Sequence, residues 1–156
     1  AGVQGLHRAR PRAPRVQDHG FGYLVASLVE ALRAGEPFTV WESPAINTRA
    51  TPTLATDAGE LIWRALEREV TGVLHCCGGE HVDRVTLARR AAAAFDLDPG
   101  RVRTGPPPEP PVVPVPYDSR LDAAVTAAAL GVELPDLDAQ LARLRHEMED
   151  ATCATT

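Results

Sequence analysis

The sequence predicts an α/β fold that is mostly helical as it stands, in the manner of an α+β protein. Three observations point there. Several stretches space their apolar residues at i, i+3 and i+4, the period of a helix that buries one side. One short run, "FTVW", is rich in β-branched and aromatic residues, as strands are, and a second, "GVLHCC", also reads as a strand. Between them lie clusters of Gly, Pro and Asp, which suit turns. At 156 residues the chain is long enough for one compact domain with a real core.

Residues 1–17 are rich in Arg and Pro and lack an apolar period. They read as an irregular arm. The stretch "FGYLVASLVEALRAGEP" follows. Phe21, Leu24, Val25, Leu28, Val29 and Leu32 form one helical stripe. Gly35 suits a left-handed helix end and Pro37 prevents continuation. "FTVW" (38–41) is a strand candidate. In "TPTLATDAGELIWRALERE", Asp57 and Glu60 have the spacing of a capping box. A helix is therefore expected from about 58, burying Leu61, Ile62, Ala65 and Leu66.

"GVLHCC" (72–77) reads as a second strand, with "GGEHVD" as the turn leaving it. A helix is expected from about Arg84 to Phe95, with Leu87, Ala88, Ala91 and Phe95 inward. "DLDPGR" reads as a turn. Residues 106–116, "PPPEPPVVPVP", are too rich in proline for the middle of a sheet. They read as a stiff connecting loop, with docking to a proline-recognising module as the alternative. Two helices close the chain. One is expected from about Arg120 to Leu130, capped by Ser119 and ended by Gly131. The other is expected from about Leu137 to Met148, starting near Asp136. Residues 18–149 thus form the folded segment, and 150–156 a disordered tail.

The bulk properties narrow the function classes. No apolar run reaches membrane-spanning length and the N-terminus has no signal-peptide core, so a cytoplasmic protein without a membrane partner is expected. The net charge of −5 argues against a nucleic-acid partner, which a basic face would attract. Every basic residue is arginine; the chain has no lysine. Chemistry that needs a lysine amine is closed to it.

Cys76 and Cys77 sit in "LHCCGGEH". On a strand, neighbours point to opposite faces. Two adjacent cysteines are then poorly placed to share one metal ion, and structural zinc sites space theirs by two to four residues. Both read as small buried hydrophobes, and no metal is expected. His75 reads as a packed strand residue, His81 as solvent-exposed in a polar turn, and His146 as lying on a polar helix face. His7 and His19 fall in the arm.

The order of elements resembles the C-terminal, substrate-binding half of extended short-chain dehydrogenases/reductases, of the dTDP-4-dehydrorhamnose reductase and NAD-dependent epimerase/dehydratase type. The resemblance rests on Thr51-Pro52-Thr53 with Asp57, on Gly72 to Gly78, and on Asp118-Ser119-Arg120-Leu121 with Leu130-Gly131. It covers roughly residues 18 to 148. It implies the C-terminal part of an extended Rossmann-type fold without the nucleotide-binding βαβ units. It further implies an oxidoreductase family that uses NAD or NADP on sugar nucleotides.

In such a family this half closes over a nucleotide-diphosphate sugar. The resemblance offers Arg49, Thr51 and Thr53 as contacts to the diphosphate, Arg15 as a second phosphate contact, and Tyr117 as a substrate contact. The plainer alternatives are a solvated Arg49 and threonines that merely shape the start of a helix. The loop before Asp118 carries proline and valine where related enzymes carry arginine, which leaves a smaller carbonyl substrate open.

Two family motifs are absent. "GVQGLHR" follows no strand and lacks a third glycine, so no pyrophosphate cradle is expected. A Tyr-x-x-x-Lys pair cannot exist without lysine. The expectation is a chain that binds no dinucleotide by itself and is inactive alone. A separate Rossmann half or self-association would cover its exposed apolar faces. A truncated gene, a split enzyme and a misplaced start all fit. The rival reading is a non-catalytic binding or regulatory module.

Overall fold

The computed structural model describes residues 20–109 and 115–153. Arg15, His7, His19, the "GVQGLHR" stretch and the centre of the proline loop lie outside the described residues. In chain order the elements are α1 (Gly20–Arg33), β1 (Phe38–Trp41), β2 (Arg49–Ala50), α2 (Ala55–Glu67), β3 (Val82–Asp83), α3 (Arg84–Ala94), β4 (Val102–Gly105), β5 (Asp118–Ser119), α4 (Ala124–Leu130) and α5 (Leu137–Cys153). The architecture is mixed α/β with small sheets.

The core forms where the helical stripes meet. Val25, Leu28, Val29 and Leu32 of α1 are buried with Phe38 and Val40 of β1 and Val102 of β4. Leu87, Ala88, Ala91, Ala92 and Phe95 come in from α3, and Leu137 and Leu141 from α5. The alanines of α3 are small enough to let α1 pack closely. Gly35, at φ 77°, ends α1 as expected. Its N–H reaches the Leu32 carbonyl at 3.0 Å, and the Glu36 N–H reaches that of Ala31 at 2.9 Å.

β1 runs parallel to β4, from Phe38 beside Val102 to Trp41 beside Gly105. The second sheet has the order β3-β2-β5. Arg49 and Ala50 pair antiparallel with Asp83 and Val82, and parallel with Asp118 and Ser119. α3 starts where β3 stops, because the Asp83 carboxylate accepts the Thr86 N–H at 2.8 Å and its hydroxyl at 2.7 Å.

Several expectations need correction. Asp57 does not cap α2. The helix begins at Ala55, with Leu54 at the N-cap and no side-chain cap bond there. Gln140 of α5 instead accepts the Leu54 N–H at 2.8 Å. Asp57 lies within the first turn, buried, with Oδ1 accepting from Arg143 at 2.7 Å. The inward stripe of α2 is also narrower than expected. Leu61 is 6% exposed, whereas Ile62, Trp63 and Leu66 are 52%, 63% and 67% exposed.

Residues 72–77 form no ladder. The His75 N–H goes to the Thr126 hydroxyl and that of Cys77 folds back on the His75 carbonyl. The propensity for an extended strand is present; a neighbouring strand is not. His75 is therefore exposed rather than packed in a sheet. Ser119 lies in β5 and does not cap α4, which starts at Ala124. Asp122 accepts the Ala124 N–H instead. Gly131 does end α4, in the left-handed region at φ 55°. α5 runs past Met148 to Cys153, because Arg143–Glu147 and Arg145–Glu149 pairs brace its outer turns. Among the described residues, no helix is long and apolar enough to cross a membrane.

Candidate functional site

The short sheet gathers polar side chains from three distant parts of the sequence. β2 lies between β3 and β5, so residues near 49, 83 and 118 share one edge of the molecule. The Thr48 and Arg49 N–H groups both donate to the Tyr117 carbonyl, at 2.9 and 3.2 Å. That fixes Tyr117 beside Arg49, and the Arg49 guanidinium carbon lies 5.9 Å from the centre of the Tyr117 ring. The flat guanidinium is drawn to the ring face.

The charges around Arg49 are committed elsewhere. Asp83, its cross-strand neighbour, gives both oxygens to Thr86. Burial alone would push Asp83 up, but the Thr86 hydrogen bonds together with backbone N–H groups of Val85 and Asp83 hold its carboxyl below the usual range. Asp118 is held by Arg120 through contacts of 2.7 and 2.9 Å. Those bonds, with the charge of Arg49 added, keep Asp118 below the usual range. Arg49 itself is exposed and forms no ion pair among the described residues. It presents a planar set of donors of the kind that suits phosphate oxygens.

The two threonines behave differently. Thr51 is buried. Its hydroxyl accepts the Leu121 N–H at 2.9 Å and shares a 2.9 Å hydrogen bond with Nδ1 of His81. The Thr53 hydroxyl donates to the Thr51 carbonyl at 3.2 Å and accepts the Gly78 N–H at 3.2 Å. Both hydroxyls serve the chain itself. They tie the segment before α2 to residues 78, 81 and 121. The structure thus brings Arg49 and Tyr117 together, places Thr51 and Thr53 in the scaffold beneath them, and leaves Arg15 outside the described residues.

Sequence reasoning missed three further residues. Asn47 donates to the Ser119 hydroxyl at 2.5 Å, and Ser119 donates to the Arg49 carbonyl at 3.3 Å. Arg120 is a second cation on this edge, neutralised by Asp118. The run Asp118-Ser119-Arg120 carried the available signal, since the family resemblance singles it out.

A cleft of about 460 Å³ adjoins this edge at Thr51. Its floor is Val25, Leu87, Leu137, Leu141 and Leu144, and its wall is the segment from Thr51 to Thr56. Arg49 and Tyr117 are not part of its lining. The cleft is mostly apolar, whereas the edge beside it carries the exposed Arg49 among paired charges.

The cysteines are free thiols. Cys77 is buried and Cys76 half-buried. Burial pushes the Cys77 thiol up, with smaller additions from Cys76 and Asp122, which disfavours the reactive thiolate. Among the described residues, no group of three or more His, Cys, Asp and Glu is placed to hold a metal ion.

A dinucleotide pyrophosphate needs free N–H groups at a helix start. The starts of α2, α3, α4 and α5 do not fit one. Asp83 fills that of α3, Asp122 that of α4 and Asp136 that of α5. In α2 the buried Asp57 lies in the first turn. A pyrophosphate would meet a carboxylate at each of these four; the first turn of α1 carries none.

No protein-family model matches the sequence, and no curated protein matches it significantly. Solved structures do. The crystal structure of dTDP-4-dehydrorhamnose reductase from Bacillus anthracis, in complex with NADP, superposes with a TM-score of 0.62 at 15% identity, over 80% of this chain and 42% of that one. A hypothetical dTDP-4-dehydrorhamnose reductase from Sulfolobus tokodaii gives 0.60 at 26% identity, over 74% of this chain and 41% of that one. This chain therefore has a partial dTDP-4-dehydrorhamnose reductase-like fold, spanning about two fifths of the length of the structures it matches.

Proposed function

We propose that this chain is the substrate-binding portion of an NAD(P)-dependent reductase that acts on a nucleotide-diphosphate sugar, and that it does not carry out hydride transfer alone. The observation that carries the reading is the fold shared with two fifths of dTDP-4-dehydrorhamnose reductase structures. The local chemistry supports it. Arg49 stands exposed beside the Tyr117 ring, without an ion-pair partner among the described residues. A diphosphate offers oxygens to the guanidinium, and the ring offers a flat surface to whatever the diphosphate carries.

Hydride transfer to a carbonyl needs a proton donor matched to the developing alkoxide. A Tyr-x-x-x-Lys pair is not available in a chain without lysine, and the starts of α2 to α5 do not suit a pyrophosphate. Those parts must come from polypeptide outside this chain. NADPH, when bound in a complete reductase, would supply the hydride; this chain would hold and orient the sugar nucleotide.

Calorimetric titration with a dTDP-sugar tests the reading. Arg49→Ala should weaken binding roughly 10- to 100-fold, the equivalent of one charge-assisted hydrogen bond at about 1.5–3 kcal/mol. Equal affinity in both proteins would remove Arg49 from the site. No heat with either protein, at millimolar ligand, would count against substrate binding altogether.

A further inference from the structure

We draw no further inference here: the strongest candidate, the exposed apolar stripe of Ile62, Trp63 and Leu66 on α2, is a single helix face narrower than a stable dimer interface needs, and nothing in the structure shows what covers it.

Discussion

Replacing Asp57 separates two accounts of how α2 is held. A capping carboxylate would act on backbone N–H groups of its own helix. In the structure Asp57 instead meets Arg143 of α5 at 2.7 Å, and its side chain is 9% exposed against 35% for Arg143. Arg143 also holds Glu60 at 2.6 Å and Glu147 at 3.1 Å. Its hydrogen bonds to Glu60, and then to Asp57, keep the guanidinium firmly charged. Asp57→Ala removes one charge-assisted hydrogen bond, worth about 1.5–3 kcal/mol. The loss should fall near the lower end, because Arg143 keeps two carboxylates and the second Asp57 oxygen has no partner among the described residues. Arg143→Ala leaves the buried Asp57 carboxylate without its partner, and removes the pairs to Glu60 and Glu147 as well. The arginine change should therefore hurt more. Asp57→Ser discriminates further: serine is a good cap, so a capping role would survive it, whereas the ion pair would not. Urea unfolding of the two single alanine variants and the double variant gives the coupling, expected at about 0.5–3 kcal/mol. A coupling of zero within error, or an Asp57→Ser variant as stable as the parent, would refute the ion-pair account.

Three further outcomes are expected. A Cβ at Gly78 would run into the Pro52 carbonyl and the Gln140 amide, so Gly78→Ala should destabilise by about 1–3 kcal/mol; an unchanged unfolding midpoint would contradict the close packing there. Glu80 accepts from Arg90 and from the Leu137 N–H, and the Arg90 bond foremost holds its carboxyl below the usual glutamate range. A depressed folded pKa gives stability that is present above the unfolded value and lost as pH falls through the folded one. Thermal melts should therefore drop as pH falls below about 4.5, and Glu80→Gln should flatten that drop. Finally, Ile62, Trp63 and Leu66 should bind a hydrophobic dye, and a Trp63→Glu/Leu66→Glu variant should bind less dye at unchanged stability. Equal dye binding would place the exposed apolar surface elsewhere.

The structure divides along the range of its interactions. α1, β1 and α3 were legible because their evidence is local: a buried stripe at helical spacing, a short apolar run, and Gly35 where a left-handed residue is required. α2 was legible as a helix, but not at its start. Asp57 and Glu60 imitate a capping box, while the group that meets the helix start is Gln140, far along the chain. Residues 72–77 have the composition of a strand, and composition carries no information about whether a partner strand lies alongside. β2, β3 and β5 are two residues each, too short for any period to announce them. The candidate site is built on those pairings. Arg49 and Tyr117 were reached through family resemblance, and their contact exists only because β2 lies against β5. Thr51 and Thr53 were chosen for the chemistry of a hydroxyl, which suits a ligand and a backbone N–H equally well.

The central claim is that this chain binds substrate and leaves the hydride to polypeptide outside it. The most direct measurement is a fluorescence titration of the purified chain with NADPH, run beside a turnover assay on a 4-keto sugar nucleotide. Without a complete glycine-rich turn for the pyrophosphate and without Tyr-x-x-x-Lys, neither tight NADPH binding nor turnover is expected. General acid catalysis alone is typically worth ~10²–10⁴ in rate, so its loss should be plain in the assay. Micromolar affinity for NADPH, or turnover above a buffer blank, would contradict the account.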